Sequence, residues 1–196
     1  ARTVWQHKGN YMVFFPSYKM LEEVYAVYEE EFSVNWVKCI CQNSSMKEQE
    51  REEFLQEFEQ NQESLVAFCI MGIFSEGIDL LGEKLIGAIL VGTGLPQLGN
   101  EREILRSFYT ENGENGFDYA YRYPGMNKVL QAAGRVIRTR EDHGVILLLD
   151  ERFRQREYSN LFPVEWNDRK TCTLSNVEAQ LQKFWESIPD KISHKL

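Results

Sequence analysis

Five short apolar runs separated by helix-forming stretches constrain this chain more than any other feature of its sequence. They fall at residues 11–15 (YMVFF), 36–41 (WVKCIC), 65–70 (LVAFCI), 85–91 (LIGAILV) and 145–149 (VILLL). A strand exposed on one face alternates apolar and polar residues. These runs are nearly continuous, as in strands covered on both faces of a parallel sheet. Between the first two, Leu21, Val24, Tyr25, Tyr28 and Phe32 keep helical spacing, and Glu29, Glu30 and Glu31 are left for water. Between the second and third, Ser45 and Glu48 form a capping-box pattern ahead of the charged stretch MKEQEREEFLQEF. This β-α-β-α-β order predicts an α/β domain with a mostly parallel central sheet and helices on both faces.

The expected organisation is a single domain over residues 1–189, with a frayed tail at 190–196. The stretch at about 94–126 is too long for an ordinary connection and reads as a helical insertion. It joins an acidic helix candidate (NEREILRSFYTEN), a turn-rich NGENG and the aromatic FDYAYRYPG. Its acidic part, residues 100–115, reads either as a solvated insertion or as a partner surface. A last amphipathic helix is expected at 174–188, with a capping box at Ser175 and Glu178 and a stripe of Val177, Leu181, Phe184 and Trp185.

Charge and cysteine usage exclude several classes. The net charge of −8 makes the surface as a whole repel nucleic acid and anionic membranes, which excludes a generic basic coat protein but not a local basic site. No apolar run approaches the roughly 20 residues of a membrane span, so no membrane partner is expected. ARTVWQHKGN carries neither an initiator Met nor a signal-like apolar core, so the chain reads as an excised part of a longer protein. Cys39, Cys41, Cys69 and Cys172 include no CxxC pair, and His7, His143 and His194 lie far apart. No metal site is expected, and buried free thiols in a reducing compartment fit better.

The chemistry concentrates in QAAGRVIRTR at 131–140. At about 100° per residue, Gln131, Arg135 and Arg138 would share a narrow stripe of one helical face. Leu130, Ala133, Val136 and Ile137 would hold the opposite side on the sheet. Two guanidiniums aimed together make a fork for phosphate oxygens, and Gly134 beside them would permit a close approach. Periodicity alone favours a solvated face with its Arg residues paired to neighbouring acids, and the phosphate fork needs support from elsewhere in the chain. After the third apolar run, MGIFSEGIDL places Ser75 and Glu76 between Gly72 and Gly77, where open α/β sheets bind ligands. Asp79 could accept from a ribose hydroxyl, or Glu76 and Asp79 could bond their own loop. In FFPSY, Ser17 is a candidate helix N-cap and anion contact. GxxxxGK[ST], GxSxG and HExxH are absent, so an arginine fork without a phosphate loop suggests half of an active site. A single-domain Rossmann-like enzyme would need a Gly-rich first βα turn, and FFPSY has no Gly.

Taken together, FFPSY, SEGID and QxxGRxxR followed by DxGxxxxxDxRF resemble motifs IV, V and VI of the second RecA-like motor domain of superfamily 2 helicases. The nearest branch is the XPD/DinG-type iron–sulfur DNA helicases, and the resemblance covers nearly the whole chain. It implies a three-layer RecA-like fold. The expected function is the C-terminal motor domain of an ATP-dependent DNA helicase, moving 5′ to 3′, with this chain inactive alone. It further implies that the phosphate loop, the Mg²⁺-binding carboxylates, an arch domain and any iron–sulfur cluster belong to an N-terminal motor domain of the same protein. Arg138 would be the arginine finger and Arg135 its partner on the γ-phosphate of ATP. Gln131, Glu76, Gly77 and Asp79 would line the nucleotide side of the cleft. Ser17, Tyr18, Ser75 and Gln42 would hold single-stranded DNA or a forked duplex by its backbone. The implied location is cytoplasmic, nucleoid-associated in a prokaryote, or nuclear in a eukaryote. A stand-alone interaction or regulatory domain that kept this shape without the motor is the alternative.

Overall fold

The computed structural model describes residues 1–60, 63–72, 84–139 and 141–188. At its centre is one sheet of β1 (Asn10–Phe15), β2 (Val37–Cys41), β3 (Ser64–Ile70), β4 (Gly87–Val91) and β5 (Val145–Leu149), in the order β2-β3-β1-β4-β5. Every neighbouring pair is parallel. All strand carboxyl ends therefore lie on one edge of the sheet and all amino ends on the other. The helices are α1 (Tyr18–Glu31), α2 (Glu48–Gln60), α3 (Asn100–Glu111), α4 (Tyr123–Ala133), the single turn α5 (Arg156–Ser159) and α6 (Val177–Glu186).

The continuous apolar runs are explained by two cores, one on each face. Tyr11, Val13, Phe15, Val66, Phe68 and Ile89 enter one core with Leu21 and Tyr28 of α1 and Leu181 of α6. Met12, Phe14, Leu65, Ala67, Leu90 and their neighbours enter the other, with Phe54 and Phe58 of α2 and Met126, Val129 and Ala132 of α4. Burial of each large side chain contributes about 1.5–3 kcal/mol, so neither alternate set along a strand could become polar. Phe68 anchors α1: Tyr25 and Tyr28 meet its ring edge-on at 5.1 and 5.3 Å.

Helix ends depart from expectation where side chains found better partners. Ser17 does cap α1, accepting from the Met20 N–H at 3.3 Å. Val24 and Phe32, expected on the packed stripe, are instead 42% and 39% exposed. The expected Ser45–Glu48 box does not form: Glu50 accepts from the Lys47 N–H, Asn43 accepts from Ser45, and Glu48 pairs with Arg51. At α6 the Ser175–Glu178 box is likewise replaced. Asn176 accepts from the Thr173 N–H at 2.8 Å, and Glu178 pairs with Arg2. The N-terminal segment packs on α6, where His7 stacks on Trp185 at 4.0 Å and 9°.

Between β4 and β5, α3 is followed by a π-helical turn (Asp118–Arg122) that runs directly into α4. Pro124 and Gly125 in this stretch ordinarily break helices. The wide π turn absorbs the missing N–H of Pro124, and the Ala120 carbonyl accepts instead from the Arg102 guanidinium at 3.4 Å. Arg122 pairs with Asp118 and lies over the rings of Phe117 and Tyr158 at 5.5 and 5.1 Å. Gly125 sits against the end of β4, where a Cβ would lie 2.7 Å from the Thr93 carbonyl oxygen. No helix among the described residues is long and apolar enough to cross a membrane. The tail expected at 190–196 lies outside the described residues.

Candidate functional site

Helix α4 starts at the carboxyl end of β4 and runs back toward the sheet's amino edge, where it stops at Ala133. Gly134 closes it at φ −65° and ψ −2°, and the next two N–H groups, of Arg135 and Val136, donate to the carbonyls of Ala132 and Ala133. These tight i→i−3 bonds end the α-helix. The helical stripe expected of Gln131, Arg135 and Arg138 therefore does not exist. Gln131 is exposed in the last turn of α4, Arg135 is half-buried in the closing turn, and Arg138 is half-buried in the irregular segment beyond it. Ile137, expected against the sheet, is 42% exposed, while Val136 is buried. Gly134 acts as a helix terminator, not as a gap in a helical face.

The arginine segment is held by Asp142, the first residue of the DxGxxxxxDxRF pattern. One oxygen of Asp142 accepts from the N–H groups of Arg138 at 2.9 Å and Thr139 at 2.8 Å. Gly144 then lets the chain pass close to the sheet, since a Cβ there would lie 2.3 Å from Val136 Cγ1 and 2.7 Å from the Ile86 carbonyl oxygen. The Val145 N–H donates to Ile86, and the Ile86 N–H donates to Asn10, so the whole turn is fixed to the amino edge. Buried Asn10 ties this edge together, donating to the carbonyls of Phe58 and Lys84 at 3.1 and 2.9 Å.

Ser17, Tyr18 and Gln42 lie on the opposite, carboxyl edge. Ser17 follows β1 and caps α1, and Tyr18 opens that helix. Gln42 does not face solvent as a direct contact would: it is 4% exposed. Its Nε2 donates to the Tyr18 hydroxyl at 3.0 Å, and its Oε1 accepts from the Ile70 N–H at 2.7 Å. It joins the ends of three strands and orients Tyr18, whose own acidity is weakened by burial and secondarily by Cys69. On the same edge, Arg152 forks onto Asp150 with bonds of 2.8 and 2.6 Å. That pairing holds the Asp150 carboxyl below its ordinary range. The DxRF pattern was the available signal for this pair.

The strands separate the two groups of residues by roughly 17 Å, the span of five residues of β-structure. Ser75, Glu76, Gly77 and Asp79 lie outside the described residues. The chain leaves β3 at Gly72 on the carboxyl edge and is next described at Lys84 on the amino edge. Cys69 is buried and Cys39 and Cys41 partly so, but Cys172 is exposed, against the expectation of buried thiols throughout. Burial pushes the Cys41 thiol up to about 11 and raises Cys69 well above the ordinary thiol range, which leaves neither a thiolate at neutral pH. Among the described residues no group of three or more His, Cys, Asp or Glu side chains could hold a metal ion. The cysteine positions do not fit an iron–sulfur cluster, because Cys39 and Cys41 pack on the opposite core from Cys69.

A five-stranded, all-parallel sheet with helices on both faces, carrying an arginine turn on one edge, defines a RecA-like α/β domain. Residues 1–169 match the family model described as the helicase C-terminal domain. The chain belongs to that family, the second RecA-like unit of XPD/DinG-type superfamily 2 helicases. It is 28% identical over 196 residues to the regulator of telomere elongation helicase 1 homolog of Drosophila sechellia, covering 90% of this chain and 20% of that protein. A Drosophila persimilis homolog is 31% identical over 157 residues, covering 72% of this chain and 15% of its own length. A solved XPD helicase shares 21% identity at a TM-score of 0.63, covering 81% of this chain and 28% of that one. The chain thus spans about a fifth of the length of the curated relatives it matches.

Proposed function

We propose that this chain is the half of an ATP-driven DNA helicase motor that closes over a nucleotide held by the N-terminal motor domain. The observation that carries the reading is the division of its residues between two edges of one sheet. On the amino edge, Arg138 is the arginine finger and Arg135 its partner on the γ-phosphate, with Gln131 contacting the nucleotide side of the cleft. Their charge would stabilise the phosphoryl transition state, an effect of order 10³–10⁵ in rate for such fingers. Glu76, Gly77 and Asp79, outside the described residues, are assigned to the nucleotide by their motif alone. On the carboxyl edge, Ser17 and Tyr18 hold single-stranded DNA or the strand of a fork by its backbone, Gln42 acts through Tyr18, and Ser75 is assigned to the same strand by its motif alone. Mg²⁺ would be held by carboxylates of the N-terminal motor domain across the cleft. The same applies to any iron–sulfur cluster. Without the phosphate loop the isolated chain should not turn over ATP. Movement is 5′ to 3′ in this reading.

The test is single-strand-stimulated ATP hydrolysis by the full-length protein, wild type beside Arg138→Ala, with DNA affinity measured in parallel. A several-hundred-fold loss of turnover with DNA binding retained is the expected result. Unchanged turnover would remove Arg138 from the ATP site. A full-length protein without ATPase activity would favour an interaction or regulatory domain.

A further inference from the structure

The carboxyl edge carries a chain of hydrogen bonds whose direction is set at one end. The Ile70 backbone N–H can only donate, and it donates to Gln42 Oε1 at 2.7 Å. The Gln42 amide is thereby held one way round, because the flipped amide would set N–H against N–H. Its Nε2 then faces Tyr18 and donates to the hydroxyl oxygen at 3.0 Å. Neither partner is free to turn away. Gln42 is buried and its backbone N–H donates to the Phe68 carbonyl at 2.8 Å, while Ser17 caps the helix that Tyr18 opens.

The Tyr18 hydroxyl has one proton. That proton cannot point at Gln42, which presents a donor, and it meets no acceptor among the described residues. Burial raises the pKa of this hydroxyl, so the proton stays on it at working pH. The residue is half-buried, with the rest of its surface open on the edge proposed to hold DNA.

Resting on that DNA reading, we infer that Gln42 is a positioning residue that fixes Tyr18 as a one-way donor, so that this point of the track takes a phosphate oxygen of the strand and no donor group. Phosphate oxygens only accept, and they carry charge, which strengthens the bond. Base edges mix donors with acceptors, and a fixed donor would meet them unevenly along a strand. A hydroxyl free to rotate could serve either kind of partner. Here the Ile70 N–H, two residues away in the chain of bonds, removes that freedom.

The test uses the full-length protein and two labelled strands of equal length, oligo-dT and a strand abasic throughout, with affinity read by fluorescence anisotropy. Tyr18→Phe keeps the ring and should cost about tenfold or more on both strands, as for a lost bond to a charged acceptor. Gln42→Glu keeps an oxygen for the Ile70 N–H, but its carboxylate has no N–H for Tyr18 and takes the Tyr18 proton itself. At about pH 8, where carboxyls are ordinarily ionised, it should cost as much as Tyr18→Phe. The two changes together should cost no more than either alone. Gln42→Met leaves the Tyr18 proton free and should fall between wild type and Gln42→Glu. If Gln42→Glu does not fold, the cycle is run with Gln42→Met, in which Tyr18→Phe should cost less than it does in wild type.

Gln42→Glu binding as well as Gln42→Met would overturn the inference, as would losses at the two positions that simply add in either cycle. Both results would make Gln42 a packing residue. A Tyr18→Phe loss that vanishes on the abasic strand would direct the proton to a base and overturn it too. Wild-type binding with no loss in Tyr18→Phe would overturn this inference alone. Wild-type protein that binds neither strand would overturn the DNA reading itself, and this inference with it.

Discussion

The Asp142 carboxylate accepts from the Arg138 backbone N–H at 2.9 Å, so the residue proposed to act on the nucleotide is placed by an acid four positions on. Charge-assisted bonds to two successive N–H groups are among the stronger ways to fix a short loop. Asp142→Ala should destabilise the fold by about 1–3 kcal/mol, seen in chemical denaturation. It should also lower DNA-stimulated ATPase in the full-length protein by about tenfold while leaving DNA affinity intact. Asp142→Asn keeps an acceptor oxygen and should recover part of both losses. Wild-type stability and turnover in the Ala variant would remove this bracing role.

Gln42→Leu should act on the opposite edge. It strands the Ile70 N–H and removes the Tyr18 partner, a loss of about 1–3 kcal/mol for buried polar groups left unmade. Single-strand affinity should fall with it, because Tyr18 loses its orientation. Tyr18→Phe separates the two effects: it keeps the ring and should cost only about 1 kcal/mol. If Gln42→Leu weakened DNA binding with no loss of stability, Gln42 would be a direct contact after all.

Ser17→Ala removes the cap of α1 and should destabilise by about 0.5–2 kcal/mol, whereas Ser17→Gly should cost only a few tenths. Thermal melts of the two variants side by side give the ordering. Equal melts for Ala and wild type would mean that the Met20 N–H finds another acceptor.

Gly144→Ala should be the most damaging of these substitutions, because its Cβ would meet the Ile86 carbonyl oxygen at 2.7 Å. Displacing backbone at the entry to β5 should cost about 1–3 kcal/mol or more. It should also shift Arg138, so ATPase should fall along with the melting temperature.

His7, stacked on Trp185, has its pKa lowered by burial. A group depressed in the fold favours its neutral form there, so its contribution is fully present above its unfolded pKa and is lost as pH falls. Thermal stability should therefore decline between about pH 7 and pH 5, where His ordinarily titrates. His7→Phe retains the stack and should flatten that decline. An identical pH profile in the two proteins would place the acid sensitivity elsewhere.

The strands were legible because burial on both faces leaves little room for polar residues: Met12 and Phe14 serve one core, Tyr11, Val13 and Phe15 the other. The arginine segment was legible as a motif but not as geometry. Gln131, Arg135 and Arg138 have helical spacing by coincidence, because Gly134 ends α4 between them. Conversely, α4 itself was hidden by Pro124 and Gly125, whose helix-breaking character is absorbed by a π turn and a donor, Arg102, that lies 18 residues before Ala120. Both capping boxes failed for a similar reason. Asn43 takes the Ser45 N–H, and Glu50 and Asn176 brace the two helix starts through the N–H groups of Lys47 and Thr173, from positions that a fixed S-x-x-E pattern does not scan. The division between the two edges follows from which end of each strand a loop leaves, and local spacing does not carry that.

Five parallel strands hydrogen-bonded side by side and packed on both faces form a stiff slab. Residues at its two ends have no soft element between them within β1, β3 and β4. A small tilt of this domain, pivoting where the arginine turn meets its neighbour, would therefore sweep the far edge through a comparable arc, with the sheet as a lever arm of fixed length. Stepping along a strand would then require no rearrangement inside the domain, only a change in how it leans.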